Sequence, residues 1–472
     1  MNNILEDSYI YNVLISILEW FSRQFNESFF IKRFLHERDT LTLSETSIVT
    51  RVFNWFISLL RKIFKTIKLD KLFEGSIFKI SYIWCLIALI FAPALPTMGV
   101  LAITAVGFGS ILLKLLCDEN YKLKHFSTNK YVLIYAMVYF ASIFTSVSVS
   151  GSLKGGLLST AFILFYFVVI NSVETKKQLH LLVLCFIFFS IVLCLYGYYQ
   201  YLYPSKFTGS WVDTDMFSDI GFRIYSTLGN PNVFGEYLIL IIPFVVSYFF
   251  YVKGVAKKTI FVVIGSMLML ALILTFSRGC WLGIMFAAMV FLILLDRRCI
   301  ILIIIVIMLL PLFLPETIMN RFMSIGNMED TSTSYRFYIY MGSLSMLKDY
   351  WLCGVGPGET AFNLVYPAYA YDTITAPHSH NLFLQILCDT GICGIVVFVL
   401  LLANTFKTCA IGLKKADDSN RIFVIGAISS LCGFFVQSMF DYSFYNYRVM
   451  FMFWGILAIT VLFANADGLR EE

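Results

Sequence analysis

The chain has 472 residues, 59% of them hydrophobic and only 14% charged, with a mean hydropathy of +0.79. A soluble protein carries roughly a quarter charged residues, so composition excludes a soluble globular domain. The apolar runs do not alternate, which excludes a membrane β-barrel, and the net charge of +5 reflects loop bias, so no nucleic-acid partner is expected.

Residues 1–76 precede any convincing span and read as a cytoplasmic, amphipathic and basic N-terminal region. Met1–Glu6 is polar and acidic, so no cleavable leader is expected and the first span serves as the insertion signal. Ile10, Val13, Leu14, Ile17, Leu18 and Phe21 recur at helical spacing. The pattern is clearer at Val52, Trp55, Phe56, Leu59, Leu60, Ile63, Phe64 and Ile67, opposite Arg51, Arg61, Lys62, Lys65 and Lys68. Such a helix suits the plane of an anionic membrane surface; the plainer alternative is a helix packed on a partner protein.

A polytopic all-α membrane domain is expected over 77–472. Its apolar runs of about 20 residues are each long enough to cross ~30 Å of hydrocarbon. They fall near 77–95, 97–116, 131–149, 153–171, 179–202, 233–251, 258–276, 280–295, 299–314, 382–404, 422–440 and 449–465, about twelve spans. One set of connections carries Lys122, Lys124, Lys130, Lys176, Lys177, Lys253, Lys257, Lys258, Arg297, Arg298, Lys407, Lys414, Lys415 and Arg421. The positive-inside rule places that set, and both termini, in the cytoplasm. The other set is then outside: the segment 203–232, the turn at Ser277–Arg278, a long loop over 315–380 and the turn 441–448. The long loop is expected to form a small cap, because Tyr335–Leu347 reads as an amphipathic helix. The eleven cysteines show no CxxC pair and read as small hydrophobes in apolar runs.

Of five histidines, only His378 and His380 fall on the outer side; His36, His125 and His180 fall on the inner one. A neutral histidine at a helix start is a competent general base. The competing reading is a helix cap, in which Ser379 or Asn381 satisfies free N–H groups. A metal site built from His378, His380 and Asp372 is a weaker alternative, and none is expected. The outer arginines are Arg223, Arg278, Arg321, Arg336 and Arg448. Arg278, in TFSRGCW between two spans, is costly there unless paired or facing a wet cavity. Arg223 precedes STLGNPNVFGEYL, whose Gly-Asn-Pro-Asn turn places backbone rigidly. Two such arginines and a histidine on one side point to a pocket for an anionic substrate. Asp441, in FDYSFYNYR, either orients a histidine or pairs with Arg448, the latter being the simpler reading. Glu236, just inside a span, needs a partner, with an arginine as one candidate. The tyrosines of 198–203, 366–371 and 442–447 can stack on sugar rings, but an aromatic belt explains them more simply.

These pieces, taken in order, resemble the O-antigen ligase and polymerase superfamily of bacterial polysaccharide assembly. The resemblance runs over roughly 220–450: Arg223 with STLGNPNVFGEYL, LTFSRGCWLG, Tyr335-Arg336 leading to LCGVGPGE, HSHNLFLQILCDTGICG, then Gln437 through FDYSFYNYR. HxHNxxLQ and the glycine-broken helix are its specific part; Glu236 departs from a small residue frequent after the NPN turn. The resemblance implies a multi-pass protein of the bacterial cytoplasmic membrane. Its implied activity passes a glycan from an undecaprenyl-diphosphate carrier to an acceptor hydroxyl on a glycan, lipid or protein, at the outer face, with no metal or other cofactor. It further implies Arg223 and Arg278 as diphosphate clamps and His380 as base. Arg336, Asn381 and Asp441 are supporting residues, with His378 the second choice for base. A transporter of polyprenyl-linked sugars is the rival reading; it calls for polar residues near the bilayer midplane and internal symmetry, whereas the charged groups here gather on one side. A non-catalytic membrane scaffold is a third.

Overall fold

The computed structural model describes residues 48–207, 221–309, 315–324, 326–328 and 330–471, with Ser16 and Trp20 besides. The amphipathic pattern at Ile10–Phe21 lies almost wholly outside the described residues. Among those described, the chain is all-α, with a single isolated bridge between Thr175 and Arg470 and no strand. In chain order the helices are α1 (Ile48–Thr66), α2 (Ser81–Phe91), α3 (Thr97–Cys117), α4 (Ser127–Phe144), α5 (Val149–Ser172), α6 (Lys176–Leu202), α7 (Pro231–Tyr251) and α8 (Val255–Leu274). Then come α9 (Arg278–Leu295), α10 (Cys299–Leu309), α11 (Glu316–Met323), α12 (Thr331–Tyr350), α13 (Glu359–Val365), α14 (Leu382–Lys415), α15 (Asp418–Ser438) and α16 (Tyr447–Ala464).

Nine helices among the described residues are long and apolar enough to cross a membrane: α3, α5 to α9, and α14 to α16. The other three expected spans coincide with α2, 11 residues long, with α10, of which 11 residues are described, and with α4. The polar first turn of α4, Ser127-Thr128-Asn129-Lys130, dilutes its apolar run. The main core gathers around α7, α15 and α16, the most enclosed helices. α9 and α15 approach closely because Gly283 faces the Gly433 carbonyl, where an added Cβ would lie 2.7 Å from that oxygen.

The chain crosses back and forth, so like ends collect. The N-termini of α7, α9, α14 and α16 and the C-terminus of α15 lie together at one end of the bundle. The Lys- and Arg-rich connections, His125 and His180 lie at the other; His36 is outside the described residues. The long loop is a structured cap on the first end. Ile339, Met346 and Leu347 of α12 pack with Val355, Phe362, Tyr366 and Cys388 into a small second core.

The two glycine-rich motifs explain each other. α14 is kinked at Gly391, whose φ of 64° and ψ of −165° break the helix. The carbonyls freed by the kink accept hydrogen bonds from the LCGVGPGE segment: Val355 N donates to Cys388 O at 2.7 Å and Gly356 N to Asp389 O at 3.2 Å. That segment comes so close that a Cβ on Gly354 would sit 2.5 Å from Cys388 O. The kink thereby fixes the cap against the start of α14, where HSHN lies.

Candidate active site

The HSHN segment is held by its own helix. Asn381 is the N-cap of α14, accepting from Leu384 N at 3.0 Å, and its amide donates to Met439 O at 2.9 Å. The capping reading of this motif therefore describes Asn381, and it leaves the histidines for other work. Gln385, one turn into α14, accepts from Ser379 N at 2.6 Å and donates to Asp389 at 2.8 Å. His380 is strained: its φ of 51° is unusual for any residue with a side chain. Tyr340 of α12 holds it there, donating to His380 O at 3.1 Å.

The imidazole of His380 meets Asp441, with Nδ1 3.3 Å from Oδ1. Asp441 is buried, and burial alone would raise its carboxyl pKa. The hydrogen bond from His380 and the charges of His380 and Arg336 outweigh that and hold it below the usual carboxylate range. An ionised Asp441 accepts from Nδ1–H, which leaves Nε2 as the basic nitrogen. The simpler expectation, an Asp441–Arg448 pair, is corrected: Arg448 donates instead to Thr227 O at 2.8 Å and to the Pro93 and Leu228 carbonyls at 3.3 Å, pinning the turn before α7.

His378 sits deeper. Its ring stacks on Tyr445 with centroids 4.9 Å apart, and its Nδ1 accepts from His380 N at 3.3 Å. Burial, followed by the neighbouring His380, lowers its pKa to about 4, so it is neutral at physiological pH. It supports His380 and has no carboxylate of its own. Tyr442 and Tyr445 belong to this packing. One ligand atom each from His378, His380 and Asp441 lie within 4.8 Å of one another. Asp372, the carboxylate considered from sequence, is exposed and outside this group. Asp441 Oδ1 already accepts from His380, and His378 Nδ1 from the His380 backbone.

Asp441 joins this dyad to the arginines through Asn232. The Asn232 amide donates to Asp441 Oδ2 at 3.1 Å, while its oxygen accepts from Arg223 Nη2 at 3.0 Å. Arg223 Nε donates to Thr275 O at 2.8 Å. The NPN turn places Asn232: Asn230 is the N-cap of α7 and accepts from Asn232 N at 2.8 Å, and Pro231 occupies the first helical position.

Beside this relay lies a cavity of about 330 Å³ lined by four arginines, Arg223, Arg278, Arg321 and Arg336. Ser277–Gly279 from the start of α9 and Ser332–Thr333 from the start of α12 also line it, so two helix N-termini face it. No acidic residue lines it among the described residues. Arg278 donates to Ser324 Oγ at 2.7 Å and pairs with Asp330 at 2.6 Å, just behind the wall. Burial raises the Asp330 carboxyl, but Arg278 and Thr333 more than reverse it, so its pKa is lowered. Arg223 is disfavoured as a cation: burial first, then Arg321, Arg336 and Arg278, bring its pKa down to about 9. Arg336 is tethered to Ser332 through Nη1, while its buried Nε has no hydrogen-bond partner. A cavity with crowded guanidiniums and an orphan N–H is complementary to an anion.

Glu236 does not meet an arginine. It is fully buried and accepts from Ser443 Oγ at 3.0 Å and Gln437 Nε2 at 3.3 Å, and Gln437 in turn lines the cavity. The structure thus brings Arg223, Arg278, Arg336, His378, His380, Asn381 and Asp441 to one end of the bundle. It adds Arg321, Asn232, Tyr340 and Gln437. Arg321 was visible only as one of five outer arginines, and Asn232 only as a turn residue.

Residues 260–399 match the family described as O-Antigen ligase. That stretch contains Arg278, the cap and the HSHN segment, but not Arg223, Asn232 or Asp441. No curated protein matches the chain.

Proposed function

We propose that this chain, whose residues 260–399 match the O-antigen ligase family, takes its glycan from an undecaprenyl-diphosphate carrier with the four-arginine cavity as diphosphate site and His380 as base. That match, with the apolar helices, supports the coarser statement: a multi-pass bacterial membrane protein with glycosyltransferase-like ligase or polymerase activity, using lipid-linked glycan donors and glycan acceptors. The finer reading rests on one observation, the cavity of four arginines beside the His380–Asp441 dyad.

In this reading the acceptor hydroxyl approaches His380 Nε2. Its oxygen bonds to the anomeric carbon while the bond from that carbon to the phosphate oxygen breaks. The proton passes to Nε2, and the electron pair leaves on the diphosphate. Asp441 stabilises the imidazolium, and the guanidiniums stabilise the growing charge on the leaving group, work a metal ion does elsewhere. A single displacement inverts the anomeric configuration. The cavity volume is at the small end of ligand pockets and suits a diphosphate head group, with the glycan extending along the cap. The arginine and lysine distribution supports catalysis on the outer face, with both termini in the cytoplasm.

The test uses purified protein in detergent with an undecaprenyl-diphosphate oligosaccharide and EDTA. A lengthening glycan ladder lost in His380→Ala identifies a polymerase; one transfer to an added acceptor identifies a ligase. Loss of turnover in EDTA, restored by a divalent ion, would overturn the metal-free reading and turn attention to His378, His380 and Asp441. Transport of the lipid across vesicles without any transfer would overturn the reading as a whole.

A further inference from the structure

The proposed reaction leaves α1 unexplained. Its sequence, IVTRVFNWFISLLRKIFKT, contains four basic residues and no acidic one. One side is docked. Ile57 is buried, Arg61 Nε donates to Leu115 O at 2.8 Å and Arg61 Nη2 to Asp118 O at 3.2 Å, and Lys65 pairs with Glu119. These contacts cap the C-terminal carbonyls of α3, as a cation does at a helix end. They also set the helix's depth, level with the end of a membrane span at the basic end of the bundle.

The opposite side is exposed. Val52, Trp55, Phe56, Leu59 and Ile63 recur at helical spacing, and all are exposed, Trp55 by 64%. Further along the chain Leu72, Ile77, Phe78 and Ile80 are exposed as well, and so is Leu112 of the apolar helix α3. An exposed apolar helix face of this kind marks an interaction surface. Arg51, Lys62 and Lys68 flank it and are exposed.

We propose that α1 is an in-plane anchor whose apolar stripe is buried in the bilayer at the end of α3, with its flanking cations on anionic lipid headgroups. Three observations select lipid as the occupant. The stripe is apolar and exposed over five residues of one helix face. Arg61 fixes the helix at the C-terminal end of α3, a helix long and apolar enough to cross a membrane. The flanks carry cations without acidic neighbours in the helix, matching an anionic leaflet. The inference rests on the basic end facing the cytoplasmic leaflet and is independent of the proposed reaction.

The test places a photo-crosslinking benzoylphenylalanine at Phe56 or Leu59 of the full chain, with Ile57 as the inward-facing control. The chain is reconstituted in vesicles of phosphatidylcholine alone or mixed with phosphatidylglycerol. The expected result is a phospholipid adduct at positions 56 and 59, but not 57, enriched in phosphatidylglycerol. Arg51→Gln and Lys62→Gln should each lower the phosphatidylglycerol adduct about five-fold, the weight of one basic side chain at an anionic surface. These surface changes leave Arg61 and Lys65 docked, and size-exclusion profiles confirm the fold. Adducts at 56 and 59 with a second copy, another protein or residues 1–47, or lipid adducts indifferent to headgroup charge, would overturn the proposal.

Discussion

Asn232 donates to Asp441 Oδ2 at 3.1 Å, on the oxygen that His380 leaves free. Since the same amide accepts from Arg223, one short side chain ties the base to the anion cavity. Replacing it with Leu removes both bonds and leaves two buried charged groups each short of one partner. Asn232→Leu is expected to lower kcat and raise KM for the lipid donor together, while His380→Ala lowers kcat by about 10²- to 10⁴-fold, the weight of a general base. Steady-state kinetics on the two variants separate these patterns.

Asp441→Asn keeps the shape of the relay and removes the charge facing Nδ1. Without that carboxylate the imidazolium is less stable, so the acid limb of the pH–rate profile should move to lower pH while the maximal rate falls. An unchanged limb would show that Asp441 acts only in packing. Asp441 itself is held below the usual range, so its own titration lies beneath the working window.

Arg321 discriminates between a single clamp and a shared cavity. If four guanidiniums together hold the diphosphate, Arg321→Ala and Arg336→Ala should each cost on the order of 10²-fold in kcat/KM, as the loss of one transition-state donor does. Lys at position 336 should restore little, because a point charge on a flexible stem does not reproduce the planar fork. Turnover of a lipid-diphosphate donor by each variant is the readout.

Two groups make stability depend on pH in the same direction. Asp330 has a lowered carboxyl pKa, so its pairing with Arg278 stabilises the fold above its unfolded value of ~3.9 and is lost as pH falls through the lower folded value. His378 titrates at about 4 when folded but near ~6.5 when unfolded. The unfolded chain therefore takes up that proton first, and stability falls as pH drops through that window. Thermal unfolding in detergent should show Tm decreasing between these values. Asp330→Asn, which can still cap α12, should lower Tm at neutral pH and lose the steepest acid dependence.

Gly391→Ala places a Cβ 2.1 Å from Leu352 O at a positive φ, and Gly354→Ala places one 2.5 Å from Cys388 O, also at positive φ. Neither backbone can move without separating cap from kink. Each should cost more than ~2 kcal/mol, seen as a lower yield of monodisperse protein. Gly326→Ala, with φ +81° but open space, should cost less.

Much of this was legible in the sequence because it depends on local chemistry. Apolar runs fix spans, cation placement separates the two ends, and HSHN before an apolar run marks a capped helix; the alternation that collects Arg223, Arg278, His380 and Asp441 at one end follows from counting crossings. Nine of the twelve expected spans are long and apolar enough among the described residues; α2 has 11 residues, α4 begins polar and α10 is described only over Cys299–Leu309. What only the tertiary structure decided is which polar groups meet. Asp441 chose His380 over Arg448, Glu236 took Ser443 and Gln437 in place of an arginine, and Arg321 joined a cavity that its local sequence does not announce. A side chain's hydrophobicity is a property of its own residue, and so is read directly. A hydrogen bond across two hundred residues depends on the distance between two helix ends, and packing around α7, α15 and α16 sets that distance.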